Sequence, residues 1–266
     1  MNISAVILTN NEERNIERCL RSLDFVDEII IIDDYSEDKT LEKVRKLKGV
    51  KSLKVFERKL KGDFAGQRNY AMSKASCDWI LFIDADEEMT KELKKEIISL
   101  DSRLRGNDSA VYYIKRRDFW WGKELKFGEI KKVREKGLIR FVKKDFGRWM
   151  GNVHEVFYTA KSTSTLNGFL NHYPHPTIKE FIQDINKYSS LRAKELYYHG
   201  KSVHIFEIIF PPFFKFILNY CIYLGFLDGP VGFTYAFMMS FHSFLVRAKL
   251  YQLSRKNYID SGSSPE

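Results

Sequence analysis

Residues 79–89 read WILFIDADEEM. Five apolar residues run straight into four carboxylates, Asp84, Asp86, Glu87 and Glu88. The apolar part suits a buried strand, and Asp84-Ala85-Asp86 is an Asp-x-Asp at its end. Hard divalent cations take carboxylate oxygens and complete their shell with waters or substrate phosphates. A cation held here would bridge a diphosphate and neutralise a departing nucleoside diphosphate. Arg68 offers a further cationic contact to the same phosphates. The structural alternative is that Asp84 and Asp86 serve the N-terminus of a helix over 90–99, where acidic residues are favourable. Thr90 is the better cap for that helix.

The elements that must position these carboxylates follow from the apolar runs. Residues 3–8 (ISAVIL) predict a strand ending at Thr9-Asn10-Asn11-Glu12, and Ile16, Cys19, Leu20 and Leu23 predict a helix after it. Residues 28–32 (EIIII) predict a second buried strand ending at Asp33-Asp34. A helix over 38–48, a weaker strand over 52–57 and a loop entering a helix over 62–75 complete the alternation. Apolar strands alternating with helices imply a mostly parallel α/β sheet covered on both faces. Each strong strand ends in polar or acidic residues, and ligands of such sheets bind outside the carboxyl ends of the strands. The three clusters are therefore expected to face one crevice, with a cation relieving their mutual repulsion.

Beyond residue 108 the pattern changes. Residues 110–115 and 138–143 predict strands flanked by basic residues, and Phe119-Trp120-Trp121 form an aromatic knot. Of the formal net charge of +9, residues 115–148 carry +8, from thirteen Lys/Arg and five Asp/Glu. Such a window suits an anionic partner, although a solvated lysine-rich surface has the same composition. Stacking of bases on the aromatic knot rests on charge alone, and no nucleic-acid module is recognisable. The three cysteines, Cys19, Cys77 and Cys221, show neither paired nor metal-type spacing, which suits a reducing compartment. Residues 1–10 lack the basic and long apolar regions of a signal peptide.

A helix over 178–199 is marked by Thr177 with Glu180 as a capping box, an apolar stripe from Ile178 to Tyr188, and Gly200 at its stop. Residues 203–246 are rich in Phe, Ile, Leu and Tyr but broken by Pro211-Pro212, Lys215, Asp228 and Gly229-Pro230. The longest uncharged run, 229–246, is marginal for crossing a bilayer. Amphipathic or re-entrant helices in the membrane interface are expected, with Arg247, Lys249, Arg255 and Lys256 at the headgroups. A buried helical hairpin or an oligomer interface is the alternative. Residues 259–266 are expected to be disordered.

Four stretches, AVILTNNEERNIERCLRSL, EIIIIDDYSEDKT, GDFAGQRNYAMSKASCDWILFIDADEEMT and GNVHEVF, together resemble family 2 glycosyltransferases of the GT-A fold. The likeness extends through residues 172–196 and the hydrophobic GFLDGPVGF, toward the bacterial branch of lipopolysaccharide core glucosyltransferases. It implies a Rossmann-like nucleotide-sugar-binding domain over 1–175, with a donor half at 1–108 and an acceptor half at 109–175. A helical membrane-associated region would occupy 176–258. It implies that Thr9, Asn11 and Glu12 line the nucleotide pocket and that Asp33 recognises base and ribose. Gln67, Arg68 and Asn69 would lie beside the donor, and Asp84 and Asp86 would hold Mg²⁺ or Mn²⁺. Inverting transfer needs one general base for the acceptor hydroxyl. Glu155 is the candidate, with His154 as its orienting neighbour and Glu129 as its rival. His172 is a candidate contact to metal or diphosphate.

The expected protein is thus an inverting, metal-dependent transferase. It would take a nucleotide-sugar donor, UDP-glucose or a related UDP-hexose, to a lipid-linked or lipopolysaccharide-type glycan. It would work at the cytoplasmic face of a bacterial inner membrane, attached to the membrane surface and independent of nucleic acid. A polyprenyl-phosphate-linked or protein acceptor, or a non-catalytic nucleotide-sugar-binding module, are the alternatives.

Overall fold

The computed structural model describes residues 1–47, 49, 51–103, 109–151 and 155–260. The strongest apolar runs become β1 (Ile3–Thr9), β2 (Glu28–Asp33) and β4 (Trp79–Asp84), with β3 (Leu53–Glu57) beside β2. The helices between them are α1 (Ile16–Arg21), α2 (Thr40–Arg45) and α3 (Phe64–Lys74). Next come β5 (Glu87–Met89), α4 (Lys91–Arg103), β6 (Val111–Trp120), β7 (Lys123–Leu125), α5 (Lys131–Lys136) and β8 (Leu138–Lys143). A short antiparallel pair, β9 (Arg148–Met150) with β10 (Val156–Tyr158), precedes β11 (Thr163–His172). The chain ends in α6 (Ile178–Tyr198), α7 (Ile205–Ile217) and α8 (Gly229–Asp260).

The chain divides into two units. The first comprises Met1–Phe119 and Lys132–Pro174, and the second Trp120–Lys131 and His175–Glu266. Residues 120–131, which fall within the range expected for an acceptor half, therefore group with the C-terminal helices. Within the first unit the strands run β3-β2-β1-β4-β8-β6-β11-β5. The half from β3 to β4 is parallel, β8 is antiparallel to both its neighbours, and β6 and β11 are parallel again. Alternate residues of the parallel strands feed two cores, as the period of a strand requires. Ala5, Ile7, Ile29, Ile31, Leu81 and Ile83 face α1, α2 and α4. Val6, Ile30, Ile32, Ile80 and Phe82 face α3 and Trp149. Thr90 closes the start of α4 by accepting from Leu93 N at 3.3 Å, so Asp84 and Asp86 are not needed there.

In the second unit α6 begins as its sequence dictates, with the Thr177 side chain accepting from Glu180 N, and Gly200 beyond its end takes a φ of 70°. Two cores fill the unit. One joins Trp120, Leu125 and Ile130 to Phe181, Ile185 and Met238. The other joins Ala193, Val203, Ile208 and Leu250. Gly229-Pro230 opens α8, where proline's missing N–H costs nothing. Pro211 and Pro212, expected to interrupt the helix, instead lie inside α7, which continues into a π-helical turn over Leu218–Ile222. Proline withholds two ladder hydrogen bonds there. Packing outweighs that loss: Ile208 and Pro212 are buried, and Ser240 Oγ donates to the Pro212 carbonyl. As a result residues Ile205–Ile222 form a helical segment of 18 residues with mean hydropathy 1.5, of which only 17% is buried. By length and composition it is apolar enough to cross a bilayer, which the sequence reading did not expect of this stretch. Of the tail at 259–266, residues 261–266 lie outside the described residues, and Ile259 and Asp260 belong to α8.

Candidate active site

The register of the parallel strands puts the three polar clusters side by side. Thr9 pairs with Asp33 across β1 and β2, and Leu8 pairs with Asp84 across β1 and β4. All three clusters therefore sit at the carboxyl edge, within two strand spacings of one another, about 10 Å.

Over β1 and β2 the side chains are held by one another. Asp33 accepts from Ser36 N at 2.7 Å and from Ser36 Oγ at 2.6 Å. Asn11, at φ 58°, accepts from Glu37 N with Oδ1 and donates its own N–H to Ser36 Oγ. Glu12 accepts from Asn15 Nδ2 at 2.9 Å. Thr9 is buried, and its Oγ1 has no hydrogen-bond partner among the described residues. Gln67 and Asn69 are fully used by the main chain and its neighbours. Gln67 Nε2 donates to Arg58 O, and its Oε1 accepts from the Arg58 guanidinium. Asn69 donates to Trp149 O and accepts from Trp149 N, both at 2.9 Å.

Arg68, between those two amides on α3, is the centre of the arrangement. Its Nε donates to Glu155 Oε1 and its NH2 to Asp84 Oδ1, each at 3.0 Å. Its NH1 is buried without a hydrogen-bond partner among the described residues. The other oxygen of Asp84 accepts from Arg140 NH2 at 2.5 Å, and the same nitrogen reaches Glu87 Oε1 at 2.8 Å. Burial opposes charge on Asp84, but Arg140 and Arg68 prevail and hold its carboxyl well below the usual range. For Glu87 burial prevails instead, and its pKa is raised despite Arg140.

His172, at the end of β11, bridges the second half of the site. Its Nε2 lies 3.0 Å from Asp86 Oδ2 and its Nδ1 lies 2.6 Å from Asp118 Oδ1. Burial and Arg116 disfavour the imidazolium, but Asp86 and Asp118 outweigh them and lift the pKa to about 9. Asp118, buried yet paired with Arg116 and His172, is lowered to about 2.

The structure thus joins Glu155, Arg68 and Asp84 in an ion-paired chain that continues through Arg140, Glu87, Arg116 and Asp118 to His172 and Asp86. It does not assemble Asp84, Asp86 and His172 as three ligands around a point; among the described residues no group of three His, Cys, Asp or Glu has metal-holding geometry. The cation expected to relieve the carboxylates is partly supplied by the protein, as Arg68, Arg116 and Arg140. Asp86 and His172 still fit a metal as a two-residue set. The far nitrogen of His172 is held by a carboxylate, the usual support of a ligating imidazole. Glu129 belongs to the second unit, where Lys215 at 3.1 Å and Asn219 at 3.3 Å hold its carboxylate. His154 lies outside the described residues. Sequence reasoning missed Arg116, Asp118 and Arg140 as members of this cluster. The signal for them was a charge inside each of two strands, YIKRRD and LIRFV, where an apolar residue would otherwise pack.

An α/β sheet with its acidic motif at the carboxyl edge of β4, extended by antiparallel and parallel strands, defines a glycosyltransferase of the GT-A architecture. The same fold occurs in S. aureus TarS 1-349, determined in complex with UDP-GlcNAc, with a TM-score of 0.51 and 16% identity over 97% of this chain and 92% of that one. Residues 4–160 match the family model for glycosyl transferase family 2, and the chain belongs to that family. The lipopolysaccharide core biosynthesis glycosyltransferase LpsC of Rhizobium meliloti is 30% identical over 94% of this chain and 92% of its own length. An uncharacterized glycosyltransferase of Rickettsia typhi is 30% identical over 96% of this chain and 88% of its own.

Proposed function

We propose that this glycosyltransferase moves a hexose, with inversion, from a UDP-sugar to a membrane-linked glycan of the lipopolysaccharide-core type. The observation that carries the reading is the carboxyl edge shared by β1, β2 and β4. There Arg68 ties Asp84 to Glu155, while Thr9 Oγ1 and Arg68 NH1 are buried without hydrogen-bond partners among the described residues. Buried polar atoms are rarely left unpaired, so a polar ligand is the natural complement of these two. The likeness to LpsC supports the acceptor class.

In this reading Thr9, Asn11, Glu12 and Asp33 border the nucleoside, and Arg68 NH1 donates to a phosphate oxygen. Gln67 and Asn69 act as positioning residues, fixing α3 through Arg58 and Trp149. A divalent cation bound by Asp86 and the deprotonated His172 would supply positive charge to the departing diphosphate. Glu155 Oε1 is anchored by Arg68 Nε, which aims the carboxylate. Its other oxygen takes the proton of the acceptor hydroxyl as that oxygen bonds to the anomeric carbon. The bond from that carbon to the diphosphate breaks on the opposite face, and UDP leaves with the electron pair. Glu129 remains the rival for the proton.

The exposed apolar residues of α7, among them Phe206, Ile209, Phe210, Phe213 and Phe214, support attachment to a membrane surface, at the cytoplasmic face where UDP-sugars are available. Full-length protein should sediment with vesicles containing anionic lipid and be only partly released by high salt, because salt screens charge and leaves apolar burial intact. Complete release by salt would refute insertion of α7.

UDP release is the test of the activity. Incubation with UDP-sugars, Mn²⁺ and lipopolysaccharide-core acceptor should liberate UDP in step with glycosylated product. Tight donor binding without any UDP release would overturn the assignment in favour of a binding module. Transfer only to a polyprenyl-phosphate sugar or to a protein would overturn the acceptor class.

A further inference from the structure

Three cations of the first unit converge on one aromatic ring. The Arg117 guanidinium lies 4.0 Å from the centroid of Phe169, Arg134 lies 5.8 Å from it and Lys115 Nζ 5.9 Å. Strand pairing produces this arrangement. Lys115 is opposite Phe169, and Arg117 is opposite Asn171, across parallel β6 and β11. Alternation places these four on one face of the two strands. Val111 and Val142 lead that face into the core that packs on α3, the helix that carries Arg68.

The ring quadrupole attracts each cation, yet the cations repel one another. Lys115 is half-buried and makes no ion pair or hydrogen bond among the described residues. A second, independent feature lies beside it: Asn171 Oδ1 is buried and has no hydrogen-bond partner among the described residues. Anion-binding side chains, a hydroxyl-accepting amide oxygen and an apolar ring are together the complement of a phosphorylated sugar. Arginine adds planar, bidentate phosphate recognition.

We propose that Lys115, Arg117, Arg134, Phe169 and Asn171 form a subsite for a phosphosugar of the acceptor. The arginines and Lys115 take the phosphate, and Asn171 Oδ1 takes a hydroxyl. This rests on the proposed transfer to a glycan and adds that the glycan is recognised through a phosphate it carries. β6 and β11 are two and three strands from β4, so the subsite is about 10–15 Å from the Asp84 strand. That separation lets one sugar be anchored while another, nearer the donor, is glycosylated.

The test is calorimetric titration of the full chain, first with UDP and Mg²⁺ and then, at UDP saturation, with α-glucose 1-phosphate. Glucose, glucuronate and inorganic phosphate form the comparison arms. Glucose 1-phosphate should bind more tightly than any of the three. Lys115→Gln combined with Arg134→Gln should weaken it by about 10–100-fold, as loss of two charge-assisted contacts implies, and leave UDP affinity unchanged. If the double variant unfolds, Lys115→Gln alone supplies the comparison, with a loss of about tenfold expected. UDP binding without glucose 1-phosphate binding would overturn the subsite and leave the transferase reading standing. So would equal binding by wild type and variant, or glucuronate or free phosphate binding as tightly. Failure of UDP itself to bind would instead count against the transferase reading.

Discussion

Glu28 opens β2 at the strand end away from the site, and its charge can be removed without touching the chemistry. Its carboxylate is almost fully enclosed, with 2% of the side chain exposed. Burial alone would raise its pKa. Lys54, the Ser4 hydroxyl, and the Ser76 N–H and hydroxyl outweigh burial and lower it from 4.5 to about 2. A displacement of about 2.5 pKa units is worth about 3 kcal/mol. Lys54 is 39% exposed, and solvent screening of that partner trims the figure to about 2–3 kcal/mol. Because the folded pKa lies below the unfolded one, this stability is present in full above about pH 4.5 and is lost as pH falls toward 2, more than half of it by about pH 3. Glu28→Gln keeps the shape and can still accept from Ser76 N, but it removes the charge. Urea unfolding of both proteins, followed by circular dichroism at a series of pH values, should show the variant about 2–3 kcal/mol less stable at pH 7. That gap should close by more than half near pH 3. A gap that stays constant from neutral to acid pH would refute the argument, since only the charge of Glu28 makes it vary.

The site yields three further expectations. Asp86→Asn should reduce turnover steeply and shift the Mn²⁺ requirement to higher concentration while leaving thermal unfolding nearly unchanged; near-normal kcat at ordinary Mn²⁺ would remove Asp86 from metal binding. Glu155→Gln should lower transfer by about 10²–10⁴-fold with donor affinity retained, and the same loss in Glu129→Gln but not in Glu155→Gln would exchange their roles. Arg140→Gln strands Glu87 and half of Asp84 without their shared cation, so a loss of about 3–5 kcal/mol in chemical unfolding is expected. A loss under about 1 kcal/mol would mean that Arg116, 3.6 Å from Glu87, suffices alone.

The parallel half of the sheet was legible because its strands are buried on both faces, and EIIII or WILFI leaves few other structures. Their acidic ends were legible for the same reason: a run of charge after a buried strand has to fall at its edge. β11 was not. Its sequence, TSTLNGFLNH, has small polar residues at most positions and becomes a strand only because β6 and β5 flank it. His172 was therefore visible as a residue but not as the end of a strand opposite Asp118. Arg140 and Arg116 show the other limit. One-dimensional reading counted them in a basic window directed at an external anion, whereas both spend their charge inside, on Asp84, Glu87 and Asp118. Pairing across strands decides which charges of a basic stretch remain for a ligand. The proline pair of α7 misled for a related reason, since local propensity yields to the packing of Ile208 and Pro212.

Arg68 is one guanidinium shared by two carboxylates that lie 71 positions apart in the chain, Asp84 and Glu155. A change at either end alters what the other end experiences, so the two cannot drift independently. Substitutions at 84 and 155 should combine non-additively while Arg68 is present and additively once it is gone. In a lineage that lost the arginine, the two carboxylates would be released to vary separately. One shared cation thus makes residues 68, 84 and 155 a single unit of inheritance.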